Sequence, residues 1–340
     1  MINIERALVS KRFIKAASLF FRYSTIPKLM NLLKAEYERL LRRSTLSSRP
    51  YFIKIQPTNI CNAGCMYCLK QVKGDDSPPG KMALGDCKKI IDRFKKYAYL
   101  IGFQYSGEPL GNESIFEMVE YAHQSGIGTY LSTNLQEVKD GDCDKLILSG
   151  LDLLTIAIDG ITQETYGRYR QRGDITKVIE NMQNLMSAKK RLKKISPFIT
   201  LQFIVHKYNQ HEIEGVRQLA KKTEVDNLEL KPIGAMDKAI LPENKKLYRR
   251  IYVKKTRLKR KACWWLWGAL VILWNGRVLP CCHIVTSKTE LNAFTDDIFS
   301  IINNPFNRQV RGQSRREVLS DAHPCYGCLV PYGGILQQTI

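Results

Sequence analysis

Apolar and β-branched runs recur along the chain at residues 51–56 (YFIKIQ), 99–105 (YLIGFQY), 127–133 (IGTYLST), 151–158 (LDLLTIAI), 197–205 (PFITLQFIV) and 226–232 (DNLELKP). Helix-length segments separate most of them, among them residues 83–96, 112–125 and 176–194. Strand-then-helix repetition predicts an α/β fold with a parallel sheet and helices outside it. Six such units make a partial (β/α)6 TIM-like barrel over residues 51–235 rather than a closed eightfold one. In such folds chemistry gathers at the C-terminal ends of the strands.

The flanks read differently. Residues 1–50 predict a basic helical arm, with Leu8, Phe13, Ile14, Ala17, Phe20 and Phe21 at helical spacing. Pro27 breaks that pattern, and a second helix follows with the apolar stripe Leu29, Leu32, Leu33, Tyr37, Leu40 and Leu41. Packing on the main domain is the leading expectation for this arm; a membrane-surface helix or a partner-docking helix are the rivals. Residues 236–262 read as a basic linker: in 245–261, ten of seventeen residues are Lys or Arg and none is acidic. That run is either a solvated helix face or an anion-binding surface. Residues 263–340 form a small C-terminal unit, in which Asn275-Gly276 signals a hairpin between two apolar strands.

The hydrophobic fraction of 44% suits a globular core, but the net charge of +21 points to a polyanionic partner. Nucleic acid, an anionic membrane surface or a phosphorylated substrate all qualify. "SLFF" near the N-terminus is too short for a secretory signal and is followed at once by Arg22. The longest apolar run, residues 264–274, is too short to span a bilayer. The expected location is therefore cytoplasmic, with peripheral attachment to the inner membrane face as its extension. There the ten cysteines favour metal binding over disulfides.

Three of those cysteines, Cys61, Cys65 and Cys68, follow the first strand in "CNAGCMYC". A cubane 4Fe-4S cluster has four irons, and each takes a ligand, usually a thiolate. Three cysteines on one loop leave one iron open to a substrate or cofactor. A zinc site would need a distant fourth ligand, and a redox dithiol leaves the third cysteine unexplained.

The Cys-x3-Cys-x2-Cys loop after a first strand resembles the radical S-adenosylmethionine (radical SAM) enzymes. Tyr67 matches the aromatic residue that packs near adenine in that family. "SGEPL" at 106–110 resembles the family's GGEP motif, with Ser106 in the first Gly position. The resemblance implies that Glu108 and the backbone at Gly107 hold the methionyl amine of the cofactor. It also implies cofactor contacts from Ser132 and Asn134 in "LSTN" and from Asp159 in "IDG". Turn-forming roles are the alternative for those three. Arg170 would pair with the cofactor carboxylate, with Arg168 and Arg172 as rivals. In "FIVHKYN", strand backbone would lie against adenine and His206 reads as structural. The implied chemistry is reductive cleavage of S-adenosylmethionine to a 5′-deoxyadenosyl radical that abstracts a substrate hydrogen. The three cysteines would carry that catalytic centre.

The later cysteines resemble the SPASM and shortened "twitch" extensions of the same family. Cys263, Cys281, Cys325 and Cys328 would hold one auxiliary 4Fe-4S cluster, or zinc in the same four thiolates. Cys282 is left as a small buried residue, a substitute ligand or a thiol hydrogen donor. Cys87 and Cys143 read as structural. With the charge, the leading expectation is an oxidoreductase or epimerase acting on an anionic sugar, glycan-linked or lipid-linked small substrate, reduced by a flavodoxin or ferredoxin. A maturase of ribosomally made peptides is the alternative. A basic iron–sulfur or zinc module binding nucleic acid leaves "SGEPL" and the strand rhythm unexplained, so nucleic acid is not an expected partner.

Overall fold

The computed structural model describes residues 14–15, 17–68, 77–233, 238–244, 262–284, 290–314 and 325. Leu8, Phe13, the basic run at 245–261 and Cys328 lie outside the described residues.

A first long helix, α1 (Ile26–Leu40), leads into six parallel strands that follow one another in chain order across the sheet. They are β1 (Phe52–Ile55), β2 (Leu100–Phe103), β3 (Gly128–Thr133), β4 (Leu153–Ile158), β5 (Phe198–Val205) and β6 (Asn227–Pro232). The intervening helices are α2 (Leu84–Phe94), α3 (Ile115–Gln124), α4 (Asp142–Leu148), α5 (Gln163–Tyr169), α6 (Ile175–Arg191) and α7 (Ile213–Lys222). This is the expected partial barrel. β4 is buried at all six positions, as a strand covered on both faces must be. In α2, Cys87, Ile90, Ile91 and Phe94 recur at helical spacing and pack on Ile53, Ile55, Ile101 and Phe103 of the sheet. Each such apolar side chain contributes roughly 1.5–3 kcal/mol by leaving water. Cys87 is thus a core residue.

Strand alternation sends Phe52 and Lys54 to the opposite, inner face. A Cβ at Gly102 would meet Tyr130, Phe52 and Lys54 at 3.4, 3.7 and 3.8 Å, so these side chains share that face. Its N-terminal end is closed by the helical residues 17–23, where Leu19 and Tyr23 pack on Tyr130 and Leu153. The Tyr23 hydroxyl donates to buried Asp152 at 2.8 Å.

Two features depart from expectation. The apolar stripe of α1 does not pack on the barrel: Leu29, Leu33, Tyr37, Leu40 and Leu41 are exposed. The helix docks instead through Lys28, Asn31, Ala35 and Glu38. The reason is hydrogen bonding to backbone that otherwise has no partner. Lys28 donates to the Gly126 carbonyl, Asn31 exchanges bonds with Arg49, and Glu38 accepts from the amides and hydroxyls of Ser47 and Ser48.

The hairpin at Asn275-Gly276 forms, but it also extends the main sheet. β7 (Ala269–Ile272) pairs in parallel with the other edge of β1, from Phe52–Ala269 to Ile55–Ile272. β8 (Val278–Leu279) returns antiparallel to complete an eight-stranded sheet. Gly276 takes φ +82° at the turn, where a side chain would strike Asn292. The short helices α8 (Trp265–Gly268), α9 (Ile298–Ile302) and α10 (Pro305–Gln313) surround β7, with Trp265 and Trp267 fully buried between them. Among the described residues, no helix is long and apolar enough to cross a membrane.

Candidate functional site

The three-cysteine loop leaves β1 at its C-terminal end and is tied to the ends of its neighbours. The Glu108 amide donates to the Ile60 carbonyl at 2.9 Å. Asn134, after β3, donates its side-chain amide to Asn62 Oδ1 at 2.7 Å. Cys65 and Arg170 form an antiparallel bridge, the Met66 amide donates to Tyr169, and the Arg172 amide donates to Ala63. From below, Gln56 is fully buried and donates to the Ser106 hydroxyl at 2.7 Å. The loop conformation therefore depends on β2, β3 and the end of α5 together.

Gly107 sits at the tightest point. Its φ is +95°, and a Cβ there would lie 2.1 Å from the Thr58 carbonyl oxygen. That close approach brings Glu108 beside the cysteine loop. The Glu108 carboxylate is almost wholly buried and accepts from Thr133 Oγ1 at 2.5 Å, the Asn134 amide at 2.8 Å and the Leu110 amide at 3.2 Å. Burial pushes its pKa up, while those three donors and the Arg170 charge pull it down. Among the described residues it forms no salt bridge, which suits a carboxylate waiting for an ammonium group from a ligand.

Asp159 and Arg170 meet each other. Arg170 Nε and Nη2 both reach Asp159 Oδ2, at 2.8 and 2.7 Å, and Asp159 Oδ1 accepts from the Ile204 amide at 3.0 Å. Burial opposes the Arg170 charge, but Asp159, Cys65 and Tyr166 together outweigh it and keep the guanidinium protonated. Tyr67 packs beside Cys65, Tyr169, Ile204 and Ile233 at the ends of β5 and β6. His206 is fully buried, stacks on Tyr169 at 5.0 Å and is held neutral by burial, in keeping with its structural reading. Ser132 is half-buried on the inner face of β3, in register with Thr155.

The thiol environment fits an iron–sulfur cluster. Burial raises the pKa of Cys61 and takes Cys65 to about 11, so the bare thiols hold their protons at neutral pH. Coordination to iron is what makes such buried thiolates stable. Among the described residues no three Cys, His, Asp or Glu converge on a single metal ion. A cubane distributes its ligands over separate irons, so its thiols need not converge in that way.

The second thiol set gathers around the hairpin. Cys263 precedes α8, Cys281 follows β8, and Cys282 and Cys325 pack in the same apolar cluster with Trp264 and Trp265. Burial pushes the Cys281 thiol well up, with Cys282, Cys263 and Cys325 adding to the effect. The inner-face Lys54 lies near this set, its ammonium 5.2 Å from the Trp265 ring centroid. Burial lowers its pKa and Cys282 raises it.

Residues 55–220 match the radical SAM superfamily. Residues 263–329 match the iron–sulfur cluster-binding SPASM domain. The chain belongs to the radical SAM superfamily. It is a radical SAM enzyme with a C-terminal SPASM domain, and its cofactors are a 4Fe-4S cluster, S-adenosylmethionine and auxiliary iron–sulfur ligation. Among curated proteins it is 28% identical over 177 residues to the mycofactocin maturase MftC of Mycobacterium tuberculosis, covering 52% of this chain and 42% of the relative. It is 26% identical over 178 residues to the AdoMet-dependent heme synthase of Methanosarcina barkeri, covering 52% and 49%. The chain thus spans less than half the length of either relative. Among solved structures, Streptococcus suis SuiB bound to S-adenosylmethionine matches with a TM-score of 0.64 at 14% identity, over 81% of this chain and 70% of that one. This last likeness concerns the fold.

Sequence reasoning missed Gln56, Asn62, Thr133 and Lys54. Thr133 lies inside "LSTN" between Ser132 and Asn134, and only the geometry shows its hydroxyl turned to Glu108. Lys54 had one signal, a cation at an alternating position in an otherwise apolar strand.

Proposed function

We propose that this radical SAM enzyme is a maturase of a ribosomally made peptide or protein. The observation that carries this reading is the similarity of its core to a mycofactocin maturase. The fold likeness supports it further, because SuiB has also been solved with its precursor peptide SuiA, at a TM-score of 0.63 and 14% identity over 83% of this chain and 71% of that one.

In this reading Cys61, Cys65 and Cys68 hold the catalytic cluster. With Glu108 and the Gly107 backbone at the cofactor amine, Arg170 stands toward the carboxylate and is oriented by Asp159. Asn134 and Ser132 line the same mouth, and Tyr67 lies beside the adenine. The bound cluster and cofactor supply the 5′-deoxyadenosyl radical that takes a hydrogen atom from the substrate. The chain holds the reactants in place and keeps water out. Cys263, Cys281, Cys325 and Cys328 hold one auxiliary cluster, and a flavodoxin or ferredoxin is the reductant.

A second reading keeps the oxidation or epimerisation of an anionic small molecule that the net charge suggested. Lys54 favours it, since among the described residues this inner-face cation has no carboxylate partner.

The test is anaerobic incubation of the reconstituted enzyme with S-adenosylmethionine, dithionite and a short peptide encoded beside its gene. A changed peptide mass together with 5′-deoxyadenosine supports the maturase. 5′-Deoxyadenosine that rises only with an anionic sugar or lipid-linked substrate overturns it. The intact chain should bind about eight irons and a Cys61, Cys65, Cys68 triple-alanine variant about four. Four irons in the intact chain would remove the auxiliary cluster.

A further inference from the structure

Helix α1 is folded with its polar side inward. Lys28, Asn31 and Glu38 are buried against the protein, whereas Ile26, Met30, Leu33, Tyr37 and Leu40 are 81, 61, 58, 56 and 72% exposed. Those five fall at alternating spacings of four and three, so they form one continuous apolar stripe along the helix. Phe21 and Ile14 are also exposed in the segment before it. A groove of about 640 Å3 runs beside the stripe, with Lys34 and Arg49 among its lining residues. An exposed apolar stripe of this length marks an interaction surface.

We propose that this stripe seats the protein on an anionic phospholipid bilayer, with α1 lying in the plane of the surface. The charge of the segment selects that occupant. Between residues 14 and 49 there are eight Lys or Arg and two acids, Glu36 and Glu38. Glu38 is buried, and Glu36 is already paired with Arg39. The exposed rim of the stripe is therefore cationic, with Lys34 and Arg43 in solvent, while Arg22 pairs with Asp152. An apolar face bordered by cations is the composition of an interfacial helix. A second copy docked through the same face would set these cations against each other, whereas anionic headgroups neutralise them.

The experiment is sedimentation of the reconstituted holoprotein with vesicles of phosphatidylcholine, or of phosphatidylcholine mixed with phosphatidylglycerol, at low and high salt. The expected result is binding to the mixed vesicles only, weakened by salt. Met30→Asp combined with Leu33→Asp should abolish it. Arg43→Gln should weaken it about fivefold, the worth of one cation near an anionic surface. All three positions are solvent-exposed, so an unchanged thermal midpoint and cluster absorbance will show that the variants are folded. The proposal is overturned if wild type ignores the mixed vesicles, or if the double variant binds as wild type does. It is also overturned if wild type runs as a dimer that the double variant dissolves, which would give the stripe to a second copy. Vesicle binding needs no substrate, so its outcome is independent of the maturase reading.

Discussion

Gly107→Ala is the sharpest single perturbation of the candidate site. Two costs combine there. A non-glycine residue at φ +95° leaves the allowed region, for about 1–2 kcal/mol. The new methyl would lie 2.1 Å from the Thr58 carbonyl oxygen, 2.8 Å from its carbonyl carbon and 3.0 Å from Asn59 Cα. All three are backbone atoms, so the strand-end loops must separate by roughly an ångström, at a packing cost of about 1–3 kcal/mol. The sum is about 2–5 kcal/mol of folding stability. The same separation drags Glu108 off the Ile60 carbonyl, and misplacement on that scale costs on the order of 100-fold in rate. Urea unfolding, S-adenosylmethionine binding by equilibrium dialysis and 5′-deoxyadenosine formation read the three effects. Gly111→Ala is the control, because it has ordinary φ and nothing within 4 Å of its Cβ; it should stay within about 0.5 kcal/mol of wild type. If Gly107→Ala unfolds at the same urea concentration as this control and binds the cofactor within twofold of it, the close-approach reasoning is refuted.

Two further outcomes follow from the buried charges. Arg170→Met leaves Asp159 buried without its cation and should cost about 3–5 kcal/mol in urea unfolding; Arg170→Lys should recover little of it, because one ammonium cannot replace the Nε and Nη2 contacts. Lys28 is pulled from 10.5 down to about 8 by burial. Its unfolded form holds the proton more tightly, so between about pH 8 and 10.5 stability should rise with pH. In Lys28→Met that rise should be absent from the pH dependence of the urea midpoint, and an identical rise would refute the assignment.

The six strands were legible because each is a short apolar run bounded by turn residues, a signal local to the chain. The neighbour that β1 takes on its other edge was not legible. "ALVI" announces a strand, and Asn275-Gly276 announces its hairpin, but parallel pairing to a distant strand has no local signature. At the site, residue types point to the strand-end loops that the structure brings together, without their mutual contacts. The sequence turns Asp159 and Arg170 each toward a ligand, and only their geometry shows them bound to each other. The stripe of α1 was recognised, but its direction was not. Periodicity identifies an apolar face; it does not reveal that Asn31 and Glu38 have backbone to satisfy on the other side.

The pairing of β1 with β7 has a consequence for how this chain is made. The strand that precedes Cys61, Cys65 and Cys68 emerges from the ribosome early, yet one of its edges stays unpaired until residues 269–272 arrive. Until then a short apolar strand offers its free amides and carbonyls to any passing chain. A fragment ending near residue 235 would keep that hazard permanently, so the enzyme is not expected to survive as separately expressed halves. What look like two modules in heredity form one object in synthesis, completed only when the SPASM segment closes the sheet.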